Sequence, residues 1–343
     1  MKMKAPGFCC AVVILALSLA PVRSMEAATI SLAAPSAVLL DGQTQQIIFA
    51  KDPDEKRAPA STTKLLTVMV ALDHLSLDKV VQIPAGLEFV QPSKIGLHGG
   101  ERFYVRDLVR AALIKSANDA AEALALATAG SKPAFARLMN QKVKQIGAGN
   151  SHYVNPSGLP AEGQYSTAHD LARIIMAASR YPFMVQTMKT RNAVIDSLDG
   201  RRIYLMNCNK MLWRTSGVIG KTGWTREARH CFAGRVQSRG KEIFVGIMGS
   251  ARRAYLWSDL RTIAGVSTGR QLRPIKTGVE LPSREQTKMI QTALHKAGYF
   301  KVTPTGFYGK RTRRAVRSFQ RSQGLPGTGD VSIETWKKLK AYL

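Results

Sequence analysis

Acidic residues are scarce in this chain. Its 343 residues set 23 Asp and Glu against 50 Lys and Arg, a formal net charge of +27. Such an excess of positive charge raises nucleic acid as a partner. The basic residues are spread along the whole sequence, however, and no recognition motif accompanies them, so no nucleic acid is expected. Cysteine is also nearly absent: of four, Cys9 and Cys10 lie at the extreme N-terminus, leaving Cys208 and Cys231. The six histidines show no metal-ligand spacing, so neither a metal nor another cofactor is expected. No segment past the first thirty residues is long and apolar enough for a membrane helix. No amphipathic C-terminal anchor is evident either, and membrane association stays open.

The N-terminus carries Met1-Lys2-Met3-Lys4, an apolar run from Phe8 to Ala20, then Pro21, Arg23 and small residues at Ala27 and Ala28. A basic start, a short apolar core and a small-residue cleavage zone predict a secretory signal peptide over residues 1–28. Cys9 and Cys10 precede the core of that run, whereas a lipoprotein cysteine follows it. The expected location is the periplasm or cell wall, where a basic protein meets anionic envelope polymers or a membrane surface.

The stretch Ala58-Pro59-Ala60-Ser61-Thr62-Thr63-Lys64, followed by an apolar run to Leu72, organises the rest of the chain. Proline before good helix formers predicts a helix opening at Ser61 and reaching about Leu77. Lys64 then lies one turn on, on the same face as Ser61. A serine hydroxyl needs a base to become a nucleophile, and lysine serves when burial disfavours its ammonium form. Ser-x-x-Lys alone is weak, since Ser238-Arg239-Gly240-Lys241 repeats it in a predicted hairpin turn. Two further triplets add weight. Ser116-Ala117-Asn118 falls between two predicted helices, and Lys221-Thr222-Gly223 falls in a predicted strand. A second Lys-Thr-Gly, at Lys276, lies in a predicted linker.

Around these motifs the pattern predicts hairpins over 37–50, turning near Asp41-Gly42, and over 193–207, turning at Asp199-Gly200. A short strand is expected at 80–83, and three strands at 218–225, 230–237 and 242–249. Helices are expected at 106–115, 119–129, 133–146, from Ser166 as cap to Arg180, and at 255–263. Strands at both ends with helices between predict an α+β domain whose sheet joins the two ends of the chain, over residues 29–266. A Gly- and Pro-containing linker spans 267–282. Residues 283–343 form a small all-α unit with helices at 286–297, 310–323 and 333–342.

Ser-x-x-Lys, Ser-x-Asn and Lys-Thr-Gly in that order are the signature of penicillin-binding proteins and serine β-lactamases. Ala60-Ser61-Thr62-Thr63-Lys64-Leu65, Ser116-Ala117-Asn118-Asp119-Ala120-Ala121, Pro156-Ser157-Gly158-Leu159, Tyr165 to Asp170 and Gly220 to Thr225 resemble the low-molecular-weight D-alanyl-D-alanine carboxypeptidases. The Glu-x-x-Leu-Asn stretch of a class A β-lactamase is missing; Glu162 has no such neighbours. Residues 283–343 resemble the three-helix peptidoglycan-binding domain, with Thr305 where that family often has an acid. The resemblance implies the antiparallel sheet-and-helix fold of serine β-lactamases and penicillin-binding transpeptidases.

It also implies roles for residues. Ser61 would be the acylated nucleophile, Lys64 its general base, and Ser116 a proton relay to the departing D-alanine. Asn118 would hold the substrate amide, and Lys221 and Thr222 the terminal carboxylate. Gly223 would let substrate backbone approach the strand, and the N–H groups of Ser61 and Trp224 would form the oxyanion hole. An assisting arginine is Arg252 or Arg253. The implied partners are peptidoglycan, through stem peptides at the catalytic domain and the wall at residues 283–343, and β-lactam antibiotics.

The implied function is a serine D,D-carboxypeptidase. Its alternatives are a D,D-endopeptidase using the same site, or a wall-binding protein that has lost activity. His169 and Asp170 suggest a dyad, but capping of the first helical turn is the stronger reading. The aromatic residues Phe300, Phe307, Phe319 and Trp336 are expected in the core of the small domain. A Cys208–Cys231 disulfide flanking the Lys221 strand, and two free thiols, both remain open.

Overall fold

The structure, a computed structural model, describes residues 32–265 and 284–343, leaving out 216, 239 and 307. The predicted signal peptide and the whole of the predicted linker, with Lys276-Thr277-Gly278, lie outside the described residues. A five-stranded antiparallel sheet carries the larger part. Strands β1 (Ser36–Asp41) and β2 (Ile47–Lys51) form the first hairpin, and Asp41 Oδ1 accepts the N–H groups of Gln43 and Thr44 at its turn. Strands β3 (Val80–Gln82) and β4 (Arg102–Tyr104) make one small ribbon, and β5 (Asn192–Asp196) with β6 (Arg202–Met206) another. The last three strands are β7 (Val218–Thr225), β8 (Arg229–Ser238) and β9 (Lys241–Ser250).

The sheet order is β2-β1-β9-β8-β7, so the first and last strands meet at the β1–β9 pair. Successive residues of a strand face opposite sides. Val38 and Leu40 accordingly enter the large core on one face, while Ala37 and Leu39 enter a smaller one on the other.

The large core is helical on its outer side. A 3₁₀ turn (Ala60–Thr62) leads into α1 (Thr63–His74), which is apolar nearly all round and buried accordingly. Around it lie α2 (Val105–Arg110), α3 (Asn118–Ala129), α4 (Lys132–Gln145), α5 (Ala168–Ala178) and α6 (Pro182–Lys189). Helix α7 (Arg253–Ala264) covers the smaller core, with Trp257 edge-on to Phe232. The remaining helices, α8 (Arg284–Lys296), α9 (Lys310–Ser322) and α10 (Ile333–Leu339), enclose their own cluster of Ile290, Leu294, Phe300, Val316, Phe319 and Leu339. Phe300 and Phe319 are thus core, Trp336 packs against that core, and Phe307 lies outside the described residues.

Several local expectations are corrected. Ser61 sits in the 3₁₀ turn rather than at the α-helix start, and α1 stops at His74, three residues early. Thr167, not Ser166, caps α5, because Thr167 Oγ1 accepts the Asp170 N–H at 3.0 Å. Ser166 is instead bridged to Arg57 through backbone bonds and to Ser151 through its hydroxyl. Strand β4 and helix α6 were not expected; α6 follows from Pro182, which is suited to a first helical turn.

Candidate active site

Backbone geometry sets the serine first. Ala60 adopts φ +48°, a left-handed conformation costly for a residue with a Cβ. Thr62 and Thr63 donate their hydroxyls back to Pro59 O (2.6 Å) and Ala60 O (2.8 Å), holding the turn in that shape. Gly158 (φ +78°) closes over it, where an added Cβ would stand 1.9 Å from Ala60 O. Gly223 on β7 approaches from the other side; a Cβ there would lie 2.9 Å from both Ser61 N and Ala60 Cβ. The need for glycine at 223 thus comes from the chain's own Ser61 turn, not only from a substrate strand. Ser61 is pinned between a loop and a strand.

Lys64 points back at this serine, with Nζ 3.0 Å from Ser61 Oγ. It is fully buried, and it donates to Asn118 Oδ1 and to Ser157 O, both at 2.6 Å. Burial holds its pKa well below the usual lysine value, and the charge of Lys221 lowers it further. A neutral amine has two N–H bonds and one lone pair. With Asn118 Oδ1 and Ser157 O accepting two of its N–H bonds, a deprotonated Lys64 would turn its lone pair to the Ser61 hydroxyl. That is the arrangement of a base awaiting a proton.

A second lysine completes the cluster. Lys221 Nζ donates to Ser116 Oγ and to Thr222 O, each at 2.8 Å. Its burial pulls its pKa down to about 8. Ser116 reaches it because the chain after α2 widens into a π-helical segment (Ala111–Lys115), then turns through Ser116 at φ +65° before α3 begins. Asn118 is held in turn: its Nδ2 donates to Gln91 O (2.9 Å) and its N–H to Ser93 O (2.7 Å). Asp119, fully buried, accepts the N–H groups of Ile95, Gly96 and Leu97 at 2.8 to 3.0 Å. One short segment, 116–119, therefore fixes both lysines and the loop over 91–97.

These groups open onto a cleft of about 630 Å³. Its walls include Ser61, Ser116, Asn118, Thr222, Gly223 and Trp224, and on one side Arg226, His230 and Arg253. Trp224 stands 57 % exposed at the rim, its ring 6.2 Å from that of His230. Burial, together with Arg253 and Arg229, pushes the His230 pKa down to about 4, so the imidazole is neutral near pH 7. Of the two candidate arginines, Arg253 lines the cleft; Arg252 is paired with Asp330 instead. A groove of about 780 Å³ beside the first half of β7 is lined by Lys189, Arg191 and Arg235, and no serine, threonine or cysteine lines it among the described residues.

Ser61, Ser116, Asn118, Thr222, Gly223 and Trp224 line the cleft, and Lys64 and Lys221 reach it through Ser61 and Ser116. Both described cysteines are free, so the disulfide alternative is overturned. Cys208 lies on the cleft wall with its thiol toward Lys115 O (3.3 Å), while Cys231 is buried with its thiol toward Ala228 O (3.4 Å). His169 and Asp170 form no dyad: His169 faces Asp54 at 3.4 Å, and Asp170 accepts the Ser151 hydroxyl at 2.6 Å. The Ser157 carbonyl and the Asp119 carboxylate were missed as working groups. Their residues stood inside recognised motifs, but a carbonyl acceptor leaves no mark in a side-chain pattern.

Residues 22–252 match the family described as D-alanyl-D-alanine carboxypeptidase, and residues 283–339 match the peptidoglycan binding domain. The D-alanyl-D-alanine carboxypeptidase DacF of Bacillus subtilis is 30% identical over 224 residues, covering 64% of this chain and 58% of that protein. The D-alanyl-D-alanine endopeptidase of Escherichia coli is 32% identical over 225 residues, covering 63% and 71%. Among solved structures, the Streptomyces K15 DD-transpeptidase superposes with a TM-score of 0.65 at 27% identity, covering 69% of this chain and 97% of that one.

Proposed function

The chain belongs to the D-alanyl-D-alanine carboxypeptidase family, and on that footing we propose that it is a serine hydrolase removing the terminal D-alanine from peptidoglycan stem peptides. The observation that carries this reading is the geometry of Lys64, buried, held by Asn118 Oδ1 and Ser157 O and with Nζ 3.0 Å from Ser61 Oγ. Ser61 Oγ attacks the carbonyl of the penultimate D-alanine while its proton passes to Lys64 Nζ. The resulting oxyanion accepts the backbone N–H groups of Ser61 and Trp224; losing one such donor costs about 100- to 1000-fold in rate. The proton then reaches the leaving D-alanine nitrogen, with Ser116 as relay between the two lysines. Water, activated by the same base, releases the shortened peptide from Ser61.

Lys221, still largely protonated at neutral pH, holds the substrate's terminal carboxylate together with Thr222, and Arg253 assists from the cleft wall. Asn118 positions the substrate amide. A β-lactam carries the same carboxylate and an acylating carbonyl, so it acylates Ser61. Residues 283–343 hold the wall. The substrate class and the basic sequence support an exported protein acting in the periplasm or cell wall.

Digestion of purified muropeptides tests the reading. Free D-alanine from monomeric pentapeptide is expected. Cleaved dimers without D-alanine would favour the endopeptidase activity named for the E. coli relative. Absence of both products would leave a wall-binding protein.

A further inference from the structure

Arg252 and Arg253 are neighbours with different destinations. Arg253, the first residue of α7, lines the cleft, whereas Arg252, just before it, reaches into the three-helix part of the chain. Its Nη1 donates to Asp330 Oδ2 at 3.0 Å and its Nη2 to Asp330 Oδ1, a bidentate pair. The two side chains are only 18 and 21 % exposed, so solvent screens the pair less than a surface ion pair. The Arg252 guanidinium also lies 4.9 Å from the Tyr255 ring centre, which fixes its plane.

Asp330 is equally well held. Its carbonyl accepts Gln320 Nε2 at 2.7 Å, and the preceding Gly329 donates its N–H to Gln320 Oε1 at 2.8 Å. Gln320 is buried on α9, so the acid stands on a rigid loop. Arg313 adds a second cation 3.7 Å from the same carboxylate. The chain is strongly basic on both sides of this contact, and the acids of residues 284–343 are Glu285, Asp330 and Glu334 alone. Two positively charged parts repel each other unless a specific attraction offsets the repulsion. Asp330 supplies one, at the residue next to the cleft wall.

We propose that the Arg252–Asp330 pair is a docking latch that seats the three-helix domain beside the catalytic cleft. The domain is then more than a tether. It presents to Ser61 the stem peptides of the strand it holds, and selects polymeric wall over free peptide. This second clause rests on the carboxypeptidase reading above; the docking itself does not.

Small-angle X-ray scattering of the full-length protein tests the docking without any activity. Wild type should be compact. Arg252→Ala and Asp330→Ala should each gain several ångströms in radius of gyration, and the double variant no more than either, as coupled partners require. Asp330→Asn, which keeps the shape and removes the charge, should swell as well and guards against a folding defect in the alanine variant. Single variants that scatter like wild type, or a wild type already extended, would overturn the latch. In parallel, Asp330→Asn should lose about tenfold in D-alanine release from intact sacculi while staying within about twofold on soluble pentapeptide. An unchanged ratio in an expanded variant would overturn the selection of polymer. A wild type releasing no D-alanine from either substrate would sink the carboxypeptidase reading, and the scattering series would still decide the docking.

Discussion

Lys221 Nζ lies 2.8 Å from Ser116 Oγ, a contact that joins an edge strand to the turn before α3 across 105 residues of sequence. It places a second ammonium near Lys64, and that charge adds to burial in lowering the Lys64 pKa. In the proposed mechanism the two lysines do opposite work: Lys64 takes up a proton and Lys221 keeps its own.

The pH dependence follows from this division. Burial lowers the Lys221 pKa to about 8, so Lys221 is protonated below that pH and neutral above it. Second-order acylation by benzylpenicillin should fall as pH rises through about 8, because the carboxylate loses its cationic partner. Lys221→Arg should move the falling limb to higher pH, since guanidinium keeps its proton. A limb unmoved by that substitution would remove Lys221 from the profile.

Ser61 and Lys64 should separate in a labelling experiment. Ser61→Ala should take up no fluorescent penicillin, the nucleophile being gone. Lys64→Ala should retain the hydroxyl but acylate about 100- to 10,000-fold more slowly, the usual range for a lost general base. Stopped-flow acylation rates on both variants measure the difference. Label persisting on Ser61→Ala would assign the nucleophile elsewhere.

Gly158 tests how the serine turn is held. Its φ of +78° disfavours any side chain, and an added Cβ would meet Ala60 O at 1.9 Å. Gly158→Ala should therefore lose about 3 kcal/mol from left-handed strain plus overpacking. For a domain of this size that lowers Tm by roughly 6 to 12 °C in a calorimetric scan. Acylation should fall too, because the Ser157 carbonyl that orients Lys64 must move with it.

Much of this architecture was legible because its signals are local. The apolar run from Leu65 to Leu72 announced a buried helix, and Asp41-Gly42 and Asp199-Gly200 announced turns. Lys64 was readable as buried because the same run surrounds it. What stayed hidden depends on contacts distant in sequence. The Ser157 carbonyl reaches Lys64 across 93 residues. Arg252 and Arg253 are indistinguishable in one dimension; only the start of α7 sends one into the cleft and the other to Asp330. The π-helical segment before Ser116 has no sequence mark that propensity registers.

Cys208 and Cys231, the free thiols among the described residues, give the final prediction, and it is one that sequence left open. Cys231 is fully buried on β8, and burial pushes its pKa up to about 11, so almost no thiolate exists at neutral pH. Cys208 is partly exposed on the cleft wall, one residue beyond Asn207 and hydrogen-bonded to the carbonyl just before Ser116. Thiol reagents attack accessible thiolate, so the two should differ sharply. Of these two cysteines, iodoacetamide should modify only Cys208 in native protein, and Cys231 only after denaturation. An adduct on Cys208 would stand against the turn that carries Ser116, and penicillin acylation should slow in step with its modification. Peptide mass spectrometry after timed alkylation checks both halves. Equal reactivity of the two cysteines would contradict the burial of Cys231, and full alkylation of Cys208 at unchanged acylation rate would take its thiol off the substrate's path.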